Sequence, residues 1–113
     1  MSRAQDSFSI PISVDAAHAA CIEAAEHGGW QIQDSDLEHF YMRQNVTLFD
    51  RLYRYPSDCA IFLQREKPSL TRIELHGRIR GFGPLQRRRV IRAIETLRAG
   101  IESAAKGSGD RES

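Results

Sequence analysis

The residues best suited to chemistry are arginines near the start of the last predicted helix. A guanidinium group holds a carboxylate or phosphate in a planar fork, and the free backbone N–H groups of a helix start add further donors. Positive charge there also opposes the helix macrodipole, at about 0.3 to 1 kcal/mol for each exposed charge, and a bound anion would offset this. The pattern predicts an anion-binding site made of Arg78, Arg80, Arg87, Arg88 and Arg89.

The same cluster has a plainer interpretation as a solvated face whose charges pair with nearby Asp and Glu residues. Fourteen of the sixteen basic residues are arginine, only Lys67 and Lys106 being lysine, and a GC-rich genome gives that bias without any function. Both interpretations stay open at this point.

A second candidate surface is an apolar and aromatic segment in the middle of the chain. Its residues could form a partner-binding patch or a lid over an apolar pocket, or they could fold back and complete the core. As an interaction surface it consists of Leu48, Phe49, Leu52, Tyr53 and Tyr55.

Catalytic and metal-binding patterns are missing from the sequence. His18 and His27 are nine residues apart on one predicted helix, which is not the i, i+4 spacing of a shared metal. No serine lies in a nucleophile elbow, and Cys21 and Cys59 have no ligand spacing, so both are expected as buried free thiols. The acidic turn from Asp34 to Glu38 is expected to be solvated. The sequence therefore predicts no catalytic residue, no metal site and no cofactor.

Nucleic-acid binding is not favoured by the sequence. One face of a predicted strand carries Arg72, His76, Arg78 and Arg80, which is typical of a sheet that holds single-stranded RNA. Stacking, however, requires exposed aromatic residues among the basic ones, and the sequence offers one or two, such as Tyr41. The formal net charge of +1 provides no global field for phosphate backbones or anionic lipids.

Length and composition indicate one domain. A chain of 113 residues with 41% hydrophobic and 27% charged residues can form its own core. The N-terminus has no apolar signal region and no run of 18 apolar residues occurs, so we expect a cytoplasmic protein with no membrane partner. We divide the chain into a mobile N-terminus (1–6), a single domain (7–105) and a mobile tail (106–113).

Hydrophobic periodicity supplies the elements that would position these residues. Alternation over 7–14 predicts a strand, which Pro11 places at a sheet edge. Asp15 is the expected cap of the first helix, whose stripe of small residues ends at two glycines. Two or three further strands and a β-strand over 71–82 follow, and Pro84 suits the first position of the last helix, which ends near Ala105. The prediction is an α+β two-layer sandwich, with two helices on one face of an antiparallel sheet of four to five strands.

Several motifs between Thr47 and Ala105 resemble an uncharacterised bacterial family, the domain of unknown function numbered fourteen ninety-nine. The similarity lies in an aromatic-Arg-aromatic-Pro segment with an acid (53–59), a Thr-Arg-Ile-Glu strand (71–75), an Arg-Ile pair, a glycine turn and an Arg-rich helix start. Ser57, Gly77 and the turn 81–84 depart from the family pattern. Because the family has no established activity, the resemblance implies architecture and no mechanism.

Taken together, the residues predict a non-enzymatic module for protein interaction or self-association. The alternative is a binder of a small anionic or amphipathic ligand, held by the arginines of the last helix start. A homo-oligomer or protein partner goes with the first hypothesis, and a small anionic ligand with the second.

Overall fold

The computed structural model of the chain describes residues 2–36, 38–44, 57–81 and 83–112. The elements are β1 (Ser2–Ile10), α1 (Val14–His27), β2 (Trp30–Ser35), β3 (His39–Gln44), β4 (Asp58–Lys67), β5 (Leu70–Ile79) and α2 (Pro84–Glu112). The strands form one antiparallel sheet in the order β1-β5-β4-β3-β2. Both helices pack on the same face of it, so the predicted α+β sandwich is confirmed.

The sheet separates an apolar helix-facing side from a polar helix-free side. On β5, Ile73, Leu75 and Ile79 are buried under α2, whereas Arg72 and Arg78 point to the opposite side and are exposed. The same alternation holds on β4, where Ile61 faces the helices. The period of two that predicted β5 from the sequence is therefore confirmed in its register.

The first strand begins earlier than the sequence predicts. Residues 2–6, expected to be a mobile N-terminus, are the first half of β1 and pair with β5 from Ser2 opposite Ile79 onward. The sequence pattern does not predict this early start, because Asp6 occupies a helix-facing position where alternation would place an apolar residue. Its carboxylate is satisfied by Arg98 of α2, with both oxygens 3.0 Å from Nη1. The expected edge position of this strand is confirmed.

Arg98 fastens α2 to this edge strand by two kinds of contact. Besides Asp6, its guanidinium donates to Glu102 (Nε to Oε1, 2.6 Å) and lies 4.6 Å from the ring centroid of Phe8. The hydrogen bonds to Glu102 and then to Asp6 raise the pKa of Arg98 above its usual value. Because the side chain is 40% exposed, we attribute only about 1 kcal/mol to the whole arrangement.

The cap of α1 differs from the expectation. Ser13, and not Asp15, is the N-cap, and its hydroxyl accepts a hydrogen bond from the Ala16 N–H at 3.2 Å. Asp15 lies in the first turn, where its charge still complements the helix macrodipole. At the other end Gly28 caps the helix and Gly29 takes the left-handed conformation with φ 76°, as predicted for the two glycines.

The last helix begins at Pro84, as expected, and extends further than expected. Its apolar stripe ends at Ala105, but the helix continues to Glu112 through residues assigned to a mobile tail. Once a helix is formed, each added residue gains a hydrogen bond without needing a core contact, so the hydrophobic pattern does not mark its end. Among the described residues no helix combines the length and apolar character needed to cross a membrane.

Candidate functional site

A cleft of about 350 Å³ lies between α1 and α2, and its floor is Trp30 at the start of β2. The tryptophan is only 6% exposed, so the cleft reaches into the helix-facing side of the molecule. Buried apolar atoms of Ala24 and Leu97 form the walls, together with the partly buried Ala104. The remaining lining residues are Glu23, His27, Gly28, Thr96, Gly100, Ser103 and Gly107.

Small residues give the cleft its shape. A Cβ on Gly100 would lie 3.3 Å from the Cβ of Ala24, so the two helices are in close contact there. A Cβ on Gly28 would lie 3.1 Å from Cδ1 of Trp30, so the indole ring packs against the end of α1. At Gly107, one end of the lining, a Cβ would meet no atom within 4 Å, and the space there is open. Small residues therefore allow close contact of the helices at Gly100 and leave open space at Gly107.

Polar groups surround this apolar interior. Glu23 and His27 are one turn apart on α1, and Thr96 and Ser103 stand on α2; all four are exposed at the entrance. A carboxylate, an imidazole and two hydroxyls can hydrogen-bond the polar end of a ligand whose apolar part rests on Trp30 and Leu97. The arrangement suits an amphipathic molecule.

The predicted arginine site is divided by the sheet. Arg87 and Arg88 are exposed in the first turns of α2, and Arg89 is half-buried there and donates to Gln86 (Nη1 to Oε1, 3.2 Å). Arg78, by contrast, points to the helix-free side, where it donates to the Tyr41 hydroxyl and lies near Asp58. Arg80 is exposed just after β5. An anion site at the helix start stays a prediction. Arg78 is separated from that helix start, because it lies on the helix-free side of the sheet.

The predicted interaction segment lies outside the described residues. Leu48, Phe49, Leu52, Tyr53 and Tyr55 all fall between 45 and 56. Their role as an interaction surface stays a prediction.

Metal and thiol chemistry find no support in the described part of the chain. No group of three or more His, Cys, Asp or Glu side chains is placed to hold a metal ion in those ranges. Cys21 and Cys59 are buried free thiols, as expected. Burial raises the pKa of each thiol to about 12, so both stay protonated and unreactive at neutral pH.

The residues of the cleft were not identified as a site from the sequence. One available signal is the stripe of small or hydroxyl side chains Thr96, Gly100, Ser103 and Gly107, spaced four, three and four residues apart on α2. The other is the single tryptophan of the chain, directly after two glycines. Both signals are weak alone, because small residues also allow ordinary close packing of helices.

Solved structures with the same architecture exist at low sequence identity. A START superfamily protein from Mycobacterium smegmatis has a TM-score of 0.69 and 7% identity, over 93% of this chain and 97% of that one. The di-domain ARO/CYC BexL of the BE-7585A biosynthetic pathway has a TM-score of 0.60 and 12% identity, over 97% of this chain and 47% of that one. The Zhui aromatase/cyclase from Streptomyces sp. R1128 has a TM-score of 0.50 and 10% identity, over 96% and 93%.

At these identities the similarity establishes the fold: this chain has the α+β architecture of START and aromatase/cyclase proteins. No family model matches the chain, and no curated protein matches its sequence. The resemblance to the domain of unknown function between Thr47 and Ala105 stays a prediction.

Proposed function

We propose that this chain binds a small amphipathic organic molecule in the cleft between α1 and α2. The observation that carries the proposal is the cleft itself, about 350 Å³ with Trp30 as its floor and polar groups at its entrance. Ligand sites in proteins are typically concave, of about 300 to 1,000 Å³, apolar inside, and equipped with a few polar groups that orient the ligand.

The solved structures support a ligand-binding use of this architecture. Two of the similar proteins are named as aromatase/cyclases, one of them from a biosynthetic pathway, and we infer that this chain uses the same architecture to bind an organic molecule. We extend binding, and not catalysis, to this chain. Around the cleft the described residues include one carboxylate, Glu23, and one imidazole, His27, both exposed on a helix surface.

The proposal refines the ligand-binding alternative drawn from the sequence. That alternative placed the charged end of the ligand on the arginines of the α2 start. The cleft instead lies further along α2, from Thr96 to Gly107, and its own polar groups are Glu23, His27, Thr96 and Ser103. The expected ligand is therefore amphipathic, with hydrogen-bonding groups at one end and an apolar body.

Ser103→Phe should block this cleft and weaken ligand binding at least about ten-fold, because the ring would fill the entrance above Leu97. The measurement is a titration with 1-anilinonaphthalene-8-sulfonate, an amphipathic probe, followed by the fluorescence of Trp30. Since Trp30 is the single tryptophan, its emission reports on the floor of the cleft directly.

Ala19→Phe is the matched control for this substitution. Ala19 is exposed on α1 and does not line the cleft, and helical side chains lean toward the helix N-terminus, away from Glu23. We expect this variant to bind the probe like the unmodified protein. Equal affinities in all three proteins, or no change of Trp30 emission on binding, would contradict the proposal.

Self-association is the second candidate function, and it is favoured by the open edges of the sheet. β1 pairs only with β5 along its nine residues, which leaves its other edge without a partner strand in the described part of the chain. Such an edge can pair with another chain.

We expect the double substitution Leu52→Ser and Tyr53→Ser to convert a dimer into a monomer if the predicted interaction segment holds two copies together. Sedimentation velocity at several protein concentrations measures this, with Arg87→Glu as a surface control that leaves assembly intact. A monomer before substitution, or an unchanged dimer after it, would count against the segment as the interface.

A further inference from the structure

The helix-free face of the sheet carries chemistry that the α1–α2 cleft does not use. Strand register arranges its side chains in rows across the sheet. The first row runs Arg3, Arg78, Asp58 and Arg43; the second runs Gln5, His76, Ala60 and Tyr41; the third runs Ser7, Glu74, Phe62 and His39. A hollow of about 500 Å³ lies over the first two rows and reaches Phe62.

The first row has more positive than negative charge. Asp58 is shared by Arg43 (Nε to Oδ1, 2.8 Å) and Arg78 (Nε to Oδ2, 3.6 Å). Arg3 is directly opposite Arg78 in the register, and no carboxylate in the described residues forms an ion pair with it. Three guanidiniums around one carboxylate leave an excess of two positive charges. Like charges opposite each other on neighbouring strands are destabilising, so an anion bound here would be favourable.

The second and third rows present aromatic rings around a small residue. Ala60 leaves a gap in its row, and the rings of Tyr41, Phe62 and His76 stand beside it. Phe62 is 44% exposed, an unusual position for phenylalanine, and its ring makes an edge contact with His76 at 5.4 Å between centroids. On its other side the ring of Phe62 is stacked on that of His39, with 6.2 Å between the ring centroids. A flat aromatic group could lie on Ala60 against these rings.

We infer that this face binds single-stranded nucleic acid, with bases stacked around Ala60 and phosphates held by Arg3, Arg43 and Arg78. Neighbouring rows are two residues apart along a strand, or about 7 Å, which suits the reach from a base to its phosphate. Exposed rings beside basic residues are the general means of holding single strands.

The breadth of the face favours a strand over a free nucleotide. The rings span three strands of the sheet. Arg72, one row further along β5, is paired with Glu74 at 3.5 Å, so the excess positive charge lies in the first row. An open face of this kind holds a single nucleotide weakly, whereas a strand adds several such contacts. The sequence did not favour nucleic acid because it offered too few exposed rings. The register supplies further rings, since it turns Phe62, His39 and His76 to the same side as the arginines.

The test is fluorescence anisotropy of a labelled eight-nucleotide oligo-uridine at several salt concentrations. Phe62→Ser should weaken binding at least about five-fold, since stacking contributes that much per base. Arg3→Glu should also weaken it and make the salt dependence shallower, by about 0.7 in the slope of log K against log salt for each phosphate that the protein no longer neutralises. The matched control is Lys106→Glu, the same charge change at an exposed lysine on α2, which should bind within two-fold of the unmodified protein.

Each other outcome overturns the inference in its own way. Equal losses of affinity in Arg3→Glu and Lys106→Glu would mean that the protein attracts the oligonucleotide by its overall charge and not through a site on this face. Competition by adenosine monophosphate as strong as by unlabelled oligonucleotide would make a free nucleotide the occupant. Equal competition by an acidic peptide of eight glutamates would point to a protein partner, and no binding by the unmodified chain would exclude the site. Far-UV circular dichroism of each variant shows that these surface substitutions leave the fold intact.

Discussion

Gly77→Val should destabilise the domain by about 3 kcal/mol, a large part of the stability of a small domain. A Cβ at this position would lie 2.7 Å from both Cγ1 and Cδ1 of Ile94 and 3.1 Å from Cγ2 of Val90. Valine adds two more methyl groups in the contact between β5 and α2. Overpacking a core commonly costs about 1 to 3 kcal/mol, and the whole stability of a small domain is about 5 to 15 kcal/mol.

Urea unfolding followed by far-UV circular dichroism measures this effect. Arg72→Val is the matched control, because it introduces the same side chain on the same strand but on the exposed helix-free side. It should change stability by less than about 1 kcal/mol. In the Gly77→Val background, Ile94→Ala should restore part of the stability by making room. A Gly77→Val protein as stable as the control would mean that α2 is not seated on β5 at this point.

Stability should also fall steeply above pH 9, because two thiols are buried. Desolvation raises the pKa of Cys21 and Cys59 from 9.0 to about 12, and the neighbouring Cys59 raises that of Cys21 further. In the unfolded chain both thiols ionise near 9, whereas the folded state keeps their protons. The contribution of these thiols to the free energy of unfolding is therefore fully present below pH 9 and is lost as the pH rises from 9 toward 12.

At pH 10 each buried thiol should lower the free energy of unfolding by about 1.4 kcal/mol, or by about 3 kcal/mol for the pair. Tyrosine and lysine groups also titrate in this range, so the useful comparison is with a protein carrying Cys21→Ala and Cys59→Ala. Between pH 8 and pH 10 the unmodified protein should lose about 3 kcal/mol more than this variant in urea unfolding. Parallel pH profiles would show that the thiols are not buried in the folded state.

Local patterns predict local structure well in this chain. Alternation along 71–82 predicts β5 and its buried face, although the strand ends at Ile79. Pro11 indicates an edge strand, and Pro84 marks the start of α2. Each of these depends on a residue's own conformational preference or on neighbours within a few positions, and the sequence displays both directly.

Features that depend on distant partners are not visible in the same way. Asp6 looks like part of a solvated N-terminus until Arg98, 92 residues away, is brought beside it. The segment from Cys59 to Gln64 is apolar and β-prone, but only its pairing with β3 and β5 turns Phe62 to the exposed side. The predicted arginine cluster lies within residues 78–89 of the sequence, yet the sheet separates Arg78 from the arginines of α2.

The cleft between α1 and α2 also depends on residues that are distant in sequence. It exists because α1 and α2 lie in close contact at Ala24 and Gly100, with the buried Trp30 among the lining residues. The position of this contact is decided by the packing of both helices on the sheet, and neither helix alone encodes it. Small residues permit the close approach, but they do not specify which helices meet.

The most direct test of the proposed function is native mass spectrometry of the protein purified from its own cells, first under gentle and then under denaturing spray. We predict a complex with a retained small organic mass that denaturation releases, and a markedly smaller amount of that mass on the Ser103→Phe variant than on Ala19→Phe. A protein without any small mass, or with a dimer as its only complex, would contradict the ligand-binding function and favour self-association.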